Sequence, residues 1–257
     1  ALKMQGKISL KHIDFAYKES KPIFSDFNLE IRAGESIALV GETGTGKTTL
    51  VNMICRFYEP AKGVIEIDDM DYTKVPLKWI HKSLGYVQQV PHLFQGSVLE
   101  NIRYGKLSAS DDEVMEAARL VRADEFIQNL PAKYDYSVGE SGNLLSTGQK
   151  QLIAFARVVL ADPALLILDE ATASIDTETE QLVQEAMHIV LSGRTGIIVA
   201  HRLSTIRQVD RILMLHKGEI IEMGSHKELM RLKGRYYKLY MNQFMQEVAE
   251  EELKKEV

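Results

Sequence analysis

A run of eight residues from Gly41 to Thr48 constrains this chain more than any other part of its sequence. It reads GETGTGKT and matches the pattern G-x-x-x-x-G-K-[ST] in full. An apolar run, Ile37 to Val40, precedes it, and a segment without glycine or proline, Lys47 to Phe57, follows it. A strand, a glycine-rich loop and a helix in this order turn backbone N–H groups inward around an anion. The sequence therefore predicts a phosphate-binding loop in an α/β fold, with the helix over Lys47 to Phe57.

The residues of this loop are expected to bind the phosphates of a nucleotide together. Lys47 is expected to neutralise charge on the outer phosphates, and the hydroxyl of Thr48 to ligate Mg²⁺. The dipole of the helix that follows adds positive potential at the same place. The predicted ligands are the phosphates of a nucleotide and Mg²⁺, and the predicted nucleotide-binding residues of the loop are Gly41, Glu42, Thr43, Gly44, Thr45, Gly46, Lys47, Thr48 and Thr49.

A second motif places two acidic residues at the end of an apolar strand. Leu165 to Leu168 is followed directly by Asp169 and Glu170, at the strand end where α/β sheets bind ligands. Asp169 is expected to hold Mg²⁺ through its water shell, and Glu170 to orient or deprotonate an attacking water. The alternative is an ordinary turn whose acidic side chains are solvated.

Hydrophobic patterning divides the chain into blocks of different character. The chain has 257 residues, of which 45% are hydrophobic, enough for one large domain or a domain with a subdomain. The first 90 residues are rich in strand patterns, and apolar residues then recur at helical spacing up to about Leu160. Short apolar strands return after it, which favours a mostly parallel sheet. The predicted strands are Ile8 to Phe15, Ile37 to Val40, Val64 to Ile67, Leu165 to Leu168, Gly196 to Val199 and Arg211 to Leu215.

A five-residue motif upstream of the acidic pair resembles that of a known family. Leu145 to Gln149 reads LSTGQ and is similar to the LSGGQ signature of ABC transporter ATP-binding domains. Ser146 and Gln149 also have the spacing of a helix capping box, which leaves oriented N–H groups for an anion. An ordinary helix cap is the alternative. The resemblance implies that Ser146, Thr147, Gly148 and Gln149 face a nucleotide held by a partner domain.

Further elements match the family in its order along the chain. Tyr17 stands where the family stacks an aromatic ring on adenine, although a plain strand residue is the alternative. Gln89 resembles the glutamine of the loop that contacts Mg²⁺ and the membrane domain, with Gln88 beside it. Ser137 to Glu140 resembles a loop that exporters place between the signature and the membrane helices.

Two more matches follow the acidic pair. Asp176 ends a segment that resembles the family's D-loop, which crosses the dimer. His201, within VAHRLST, resembles the switch histidine that touches the γ-phosphate. The resemblance implies that Glu170, His201 and Lys47 are the catalytic residues, and that Thr48, Gln89 and Asp169 hold the metal.

The same resemblance implies the fold and its division. We expect an α/β fold, with a P-loop NTPase (RecA-like) core, an antiparallel β subdomain, and an inserted helical subdomain that carries the signature. The expected division of residues 1–257 is about 1–90 and 161–233 for the core and β subdomain, about 91–160 for the helical subdomain, and about 234–257 for a C-terminal helix.

The resemblance also implies the activity and the partners. ATP lies between two such domains in this family, and its hydrolysis drives transport through transmembrane domains. We therefore expect a second ABC nucleotide-binding domain and exporter transmembrane domains as partners, at the cytoplasmic face of the membrane. The loop at Ser137 to Glu140 and the VAHRLST segment favour an exporter, whose membrane helices are expected to precede Ala1.

Thr147 departs from the family pattern, because a β-branched side chain replaces the first glycine of the usual signature. Lys47, Glu170 and His201 are intact. This combination suggests the catalytically intact half of a heterodimeric exporter, with a partner whose own site is degenerate. A threonine tolerated in a homodimer is the alternative.

Other functions are weighed against this one. An importer ATPase would couple to separate permease chains. A soluble ABC ATPase of DNA repair or translation usually carries coiled coils or basic arms, and neither is visible here. The formal net charge of -5 makes nucleic acid an unexpected partner. A GTPase is disfavoured, since the sequence has no Asn-Lys-x-Asp element.

Overall fold

A computed structural model of the chain describes residues 3–18, 21–88, 90–169, 177–200 and 203–255, without the side chains of 177, 178 and 247–255. Within these residues the chain forms ten β-strands and ten α-helices. The strands are β1 (Ile8–Phe15), β2 (Phe24–Ile31), β3 (Ser36–Val40), β4 (Lys62–Ile67), β5 (Met70–Asp71), β6 (Leu84–Val87), β7 (Leu165–Asp169), β8 (Thr195–Val199), β9 (Arg211–His216) and β10 (Glu219–Gly224). The helices are α1 (Lys47–Ile54), α2 (Leu77–Lys82), α3 (Val98–Arg103), α4 (Asp111–Leu120), α5 (Ala123–Gln128), α6 (Thr147–Ala161), α7 (Thr177–Leu191), α8 (Leu203–Ile206), α9 (His226–Leu232) and α10 (Arg235–Lys255).

The chain divides into two compact units, and the mixed α/β class is confirmed. The first unit consists of residues 1–6 and 78–196, and the second of residues 7–77 and 197–257. The helices α3 to α6 lie in the first unit and cover most of the predicted helical subdomain of about 91–160. The exact assignment of subdomains stays a prediction.

In the second unit, an antiparallel sheet has the strand order β2-β1-β4-β5. Ile8 of β1 pairs with Ile31 of β2 on one side and with Ile67 of β4 on the other, and all three are buried. Polar residues alternate with the apolar residues along β2, which is typical of a strand with one face in the core.

The same unit contains a second group of strands, in the order β10-β9-β3-β8, of which β8 lies in this unit from Ile197 onward. β3 and β9 are parallel, whereas β10 returns antiparallel to β9. The residues Ile37 to Val40 of β3 are all buried, as expected for a parallel strand covered on both faces. The phosphate loop follows the carboxyl end of β3 and leads directly into α1.

The first unit combines a parallel strand pair, β6 and β7, with a group of helices. α6 is the most buried of these helices along one face, through residues such as Leu152, Ile153 and Phe155, and it packs against α3, α4 and α7. Capping boxes begin α3, α4 and α6, so each of these helices starts where its serine satisfies a free backbone N–H.

The helix after the phosphate loop is shorter than predicted, because α1 ends at Ile54 rather than at Phe57. Arg56 has a positive φ of 57° and its guanidinium donates to the backbone oxygens of Tyr72 and Val75. The N–H of Phe57 turns back to the carbonyl of Asn52 at 2.8 Å. The contacts of Arg56 with a distant segment, and this local turn, end the helix where composition alone would continue it.

The last helix, α10, is tied to the second unit at its start. Both carboxylate oxygens of Glu222 accept hydrogen bonds from the first turn, one from the N–H of Arg235 and one from that of Tyr236. The phenol of Tyr236, which is fully buried, lies 2.7 Å from Nδ1 of His226. Among the described residues, no helix is both long enough and apolar enough to cross a membrane.

Candidate functional site

The side chain of Lys47 folds back over the phosphate loop in the second unit. Its Nζ donates to the carbonyl oxygen of Gly41 at 2.6 Å and to that of Glu42 at 2.9 Å. The hydroxyl of Thr45 donates to the same Glu42 oxygen at 2.9 Å. Lys47 is only 8% exposed. The loop therefore encloses a fixed positive charge, which is what the outer phosphates of a nucleotide require.

Two glycines of the loop allow a close approach that a side chain would prevent. Gly46 has a φ of 104°, and a Cβ there would lie 2.8 Å from the ring of Phe24. Gly41 has a φ of 147°, and a Cβ there would lie 2.4 Å from the backbone oxygen of Leu215. Both glycines are needed for packing as well as for conformation.

The N-terminus of α1 has no cap of its own. Gly46, which precedes it, provides no side-chain hydrogen bond, and the first turn contains no acidic residue. The first N–H groups of a helix have no acceptor within that helix, which makes such an end favourable for an anion. Thr48 is exposed beside them, with a hydroxyl that suits a hard cation. These residues fit the phosphates of a nucleotide together with Mg²⁺.

An aromatic cluster adjoins the phosphate loop in the same unit. The hydroxyl of Tyr17 lies 3.1 Å from that of Thr49 on α1. The ring of Tyr17 makes edge-to-face contacts with Phe15, at 5.1 Å between centroids, and with Tyr58, at 5.2 Å. Tyr17 is therefore a half-buried ring held next to the helix that begins at Lys47, a position that suits stacking on a base.

The acidic motif and the signature motif both lie in the first unit. The four apolar residues of β7 are buried and its last residue, Asp169, is half-buried. At the start of α6, the N–H of Gln149 donates to the hydroxyl of Ser146 at 3.2 Å, and the Gln149 side chain accepts from the Ser146 N–H at 3.0 Å. The predicted capping box is thus confirmed. The hydrogen of the Ser146 hydroxyl remains a donor for an anion.

Thr147 is the first residue of α6 and is half-buried, whereas Gly148 is buried. Four other predicted site residues, Gln89, Glu170, Asp176 and His201, lie outside the described residues. The structure therefore brings Tyr17 together with residues 41–49 in the second unit, and places Asp169 and residues 146–149 in the first.

One buried cluster in the first unit has no counterpart in the sequence predictions. Arg157 of α6 donates to the backbone oxygens of Asn101 and His92 and to the Asn101 side chain. Burial lowers the pKa of Arg157 to about 10, so the guanidinium is still charged at neutral pH. Its charge lies over the rings of Phe94 and Tyr104.

This arginine cluster ties the signature helix to the segment that follows Gln89. Asn101, which is fully buried, continues it by bonding both backbone groups of Phe94. Phe94 and Tyr104 are themselves 45% and 50% exposed. The local sequence offers one signal of this cluster, the asparagine at position 101 that follows the capping box of α3. That signal does not reveal that the partner of Asn101 lies in α6.

Comparisons with known proteins agree on one family. The family model described as ABC transporter matches residues 24–173. The chain is 49% identical over 239 residues to the uncharacterized ABC transporter ATP-binding protein YfiC of Bacillus subtilis, covering 93% of this chain and 40% of that protein. It is 45% identical to an ATP-dependent lipid A-core flippase of Legionella pneumophila, covering 97% of this chain and 42% of the flippase.

A solved structure shares the fold. The structure of a bacterial Atm1-family ABC exporter with ATP bound superposes with a TM-score of 0.86 at 39% identity, covering 95% of this chain and 42% of the exporter chain. The chain thus spans about two fifths of the length of these relatives.

Proposed function

The chain belongs to the ABC transporter family as one of its ATP-binding domains, and from that premise we propose that it hydrolyses ATP to drive an exporter. The observation that carries the proposal is the loop around Lys47, where a buried ammonium, an uncapped helix N-terminus and an exposed threonine hydroxyl converge. The names of the flippase and of the Atm1-family exporter support export as the direction.

Catalysis in the proposal depends on positioning and charge. The loop N–H groups and Lys47 hold the terminal phosphates, which lowers the cost of the negative charge that develops there. Thr48 and Asp169, with Gln89, would hold Mg²⁺ in this proposal, and the metal would supply positive charge to the phosphates. Glu170 is the proposed base for the attacking water, and His201 the proposed contact to the γ-phosphate.

Two kinds of partner follow from the family. ABC exporters pair two nucleotide-binding domains, so the signature residues 146–149 are proposed to face the nucleotide of the second domain. Transmembrane domains are the other partner, which places the assembly at the cytoplasmic face of a membrane. The rings of Phe94 and Tyr104 are exposed, and the guanidinium of Arg157 packs against both. These two rings offer an apolar contact for such a partner.

Nucleotide binding and hydrolysis are tested separately. Lys47→Ala should abolish retention of ATP at millimolar Mg²⁺, measured by equilibrium binding, whereas Lys227→Ala, at an exposed lysine of α9, should not. Glu170→Gln should retain ATP and reduce turnover by roughly 10²- to 10⁴-fold, the usual contribution of a positioned base. Equal ATP binding by the wild type and Lys47→Ala would overturn the proposal.

We also propose that the partner domain is a different chain with a degenerate site. The support is Thr147, a half-buried β-branched residue at the first position of α6, beside the hydroxyl and N–H groups offered to the partner's nucleotide. In the assembled transporter, Glu170→Gln should nearly abolish turnover, whereas Thr147→Gly should change it little. Equal losses from both would reject the asymmetry, as would a stable homodimer of Glu170→Gln that holds two equivalent nucleotides.

A further inference from the structure

Three aromatic rings in the second unit form a closed set of edge-to-face contacts. Tyr17 contacts Phe15 and Tyr58, and Phe15 also contacts Tyr58 at 5.9 Å between centroids. The interplanar angle between Tyr17 and Tyr58 is 88°. Each ring therefore favours the present orientation of the other two, because edge-to-face contact is a preferred arrangement of aromatic rings.

The backbone that carries Tyr58 is fastened to the phosphate-binding helix. The N–H groups of Phe57 and Tyr58 both donate to the carbonyl of Asn52 in α1, at 2.8 Å and 3.4 Å. The backbone oxygen of Tyr58 accepts from the hydroxyl of Tyr72, which is fully buried, at 3.5 Å. Two residues before Tyr58, the guanidinium of Arg56 donates to the carbonyl of Tyr72. The position of Tyr58 is thus set by α1 and by a buried tyrosine.

Tyr17 is consequently supported at both ends by α1 and the residues that follow it. Its hydroxyl meets Thr49 within α1, and its ring meets Tyr58 just beyond the end of α1. Tyr58 is 45% exposed, so part of its ring is open to solvent while it contacts Phe15 and Tyr17. A base stacked on Tyr17 would in this way be positioned relative to the start of α1.

Resting on the proposed function, we propose that Tyr58 is a positioning residue for the nucleobase, acting through the ring of Tyr17. It orients the Tyr17 ring relative to the phosphate loop and so contributes to the affinity for nucleotides that carry a base. It does not touch the phosphates. The affinity for ligands that consist of phosphate alone should therefore not depend on Tyr58.

The test compares two ligands, Mg-ATP and inorganic tripolyphosphate with Mg²⁺, by isothermal titration calorimetry on the full chain. Tyr58→Ala should weaken ATP binding by about 2- to 10-fold, the effect of losing about one aromatic edge contact. Its affinity for tripolyphosphate should equal that of the wild type. Tyr58→Phe should restore ATP binding, because the ring and not the hydroxyl makes the contacts.

Two controls separate positioning from a loss of structure. Phe244→Ala removes a ring that is 44% exposed on α10 and should alter neither affinity. In a Tyr17→Ala background, Tyr58→Ala should add almost nothing, because a residue that acts only through Tyr17 is coupled to it. Where turnover is measured, Tyr58→Ala should raise KM and leave kcat unchanged.

The inference is overturned if Tyr58→Ala weakens both ligands equally, if it weakens neither, or if its effect persists in full without Tyr17. These outcomes differ from failure of the proposed function, in which the wild type itself would bind neither ATP nor tripolyphosphate.

Discussion

Gly46 shows how one residue joins the conformation of the phosphate loop to its packing. Its φ of 104° is strained for any residue with a side chain, and the ring of Phe24 occupies the space that a Cβ would need. The loop can turn into α1 at this point only because the residue has no side chain. Gly46 stands immediately before the first N–H groups of α1.

Gly46→Ala should lower the free energy of unfolding by about 1–3 kcal/mol, since it adds backbone strain and a clash with Phe24. The change in the free energy of unfolding is measured by urea unfolding of the purified chain. Gly34→Ala is the matched control, because Gly34 has a φ of 76° but no atom within 4 Å of its added Cβ. A loss no greater than that of Gly34→Ala would show that contact with Phe24 contributes nothing.

At the scale of elements, the packing of α10 involves His226, whose protonation affects the stability of the folded chain. His226 begins α9, with its ring against the phenol of Tyr236 and 4.8 Å from the centroid of Tyr240. Burial, and then the positive charge of Arg207, lower the pKa of His226 below its ordinary 6.5. The folded chain thus binds a proton at this imidazole less readily than the unfolded chain does.

The sign of the pH effect follows from that difference in proton binding. Below about pH 6.5 the unfolded state binds more protons at this residue, so stability falls on acidification through that range. Chemical unfolding at pH 7.5 and 5.5 should show a loss that is smaller in His226→Gln than in the wild type. His188→Gln, at an exposed histidine of α7, should retain the wild-type loss. An identical loss in all three proteins would contradict the role of His226.

The same scale shows which elements follow from local pattern. β1 has the predicted bounds, Ile8 to Phe15. The alternation of apolar and polar side chains along a half-buried strand can be recognised from consecutive residues. The start of α6 was equally readable, since a capping box involves residues three apart. The end of α1 was not, because Arg56 turns out of the helix toward Tyr72 and Val75, which lie far along the chain.

For the whole molecule, ligand binding and stability are linked. A ligand that binds only the folded chain stabilises it by about 2.7 kcal/mol at a free concentration of about 100 Kd. For a chain of this size, that corresponds to a rise of about 5–10 °C in melting temperature. Mg-ATP should produce this rise in the wild type, measured by thermal unfolding, and should produce none in Lys47→Ala. If Mg-ATP stabilised both proteins to the same degree, the nucleotide would bind at a site that does not involve Lys47.

The sequence alone determined the α/β class, and it predicted the phosphate loop, the acidic strand end and the signature, because each motif depends on residue types at short, regular spacing. Only the tertiary structure revealed that Tyr58 supports Tyr17, that Arg157 ties α6 to the segment around Phe94, and that Glu222 and His226 hold α10. These contacts join side chains that are distant in sequence. Packing of that kind leaves no periodicity in the chain, so it becomes visible only once the elements are placed in space.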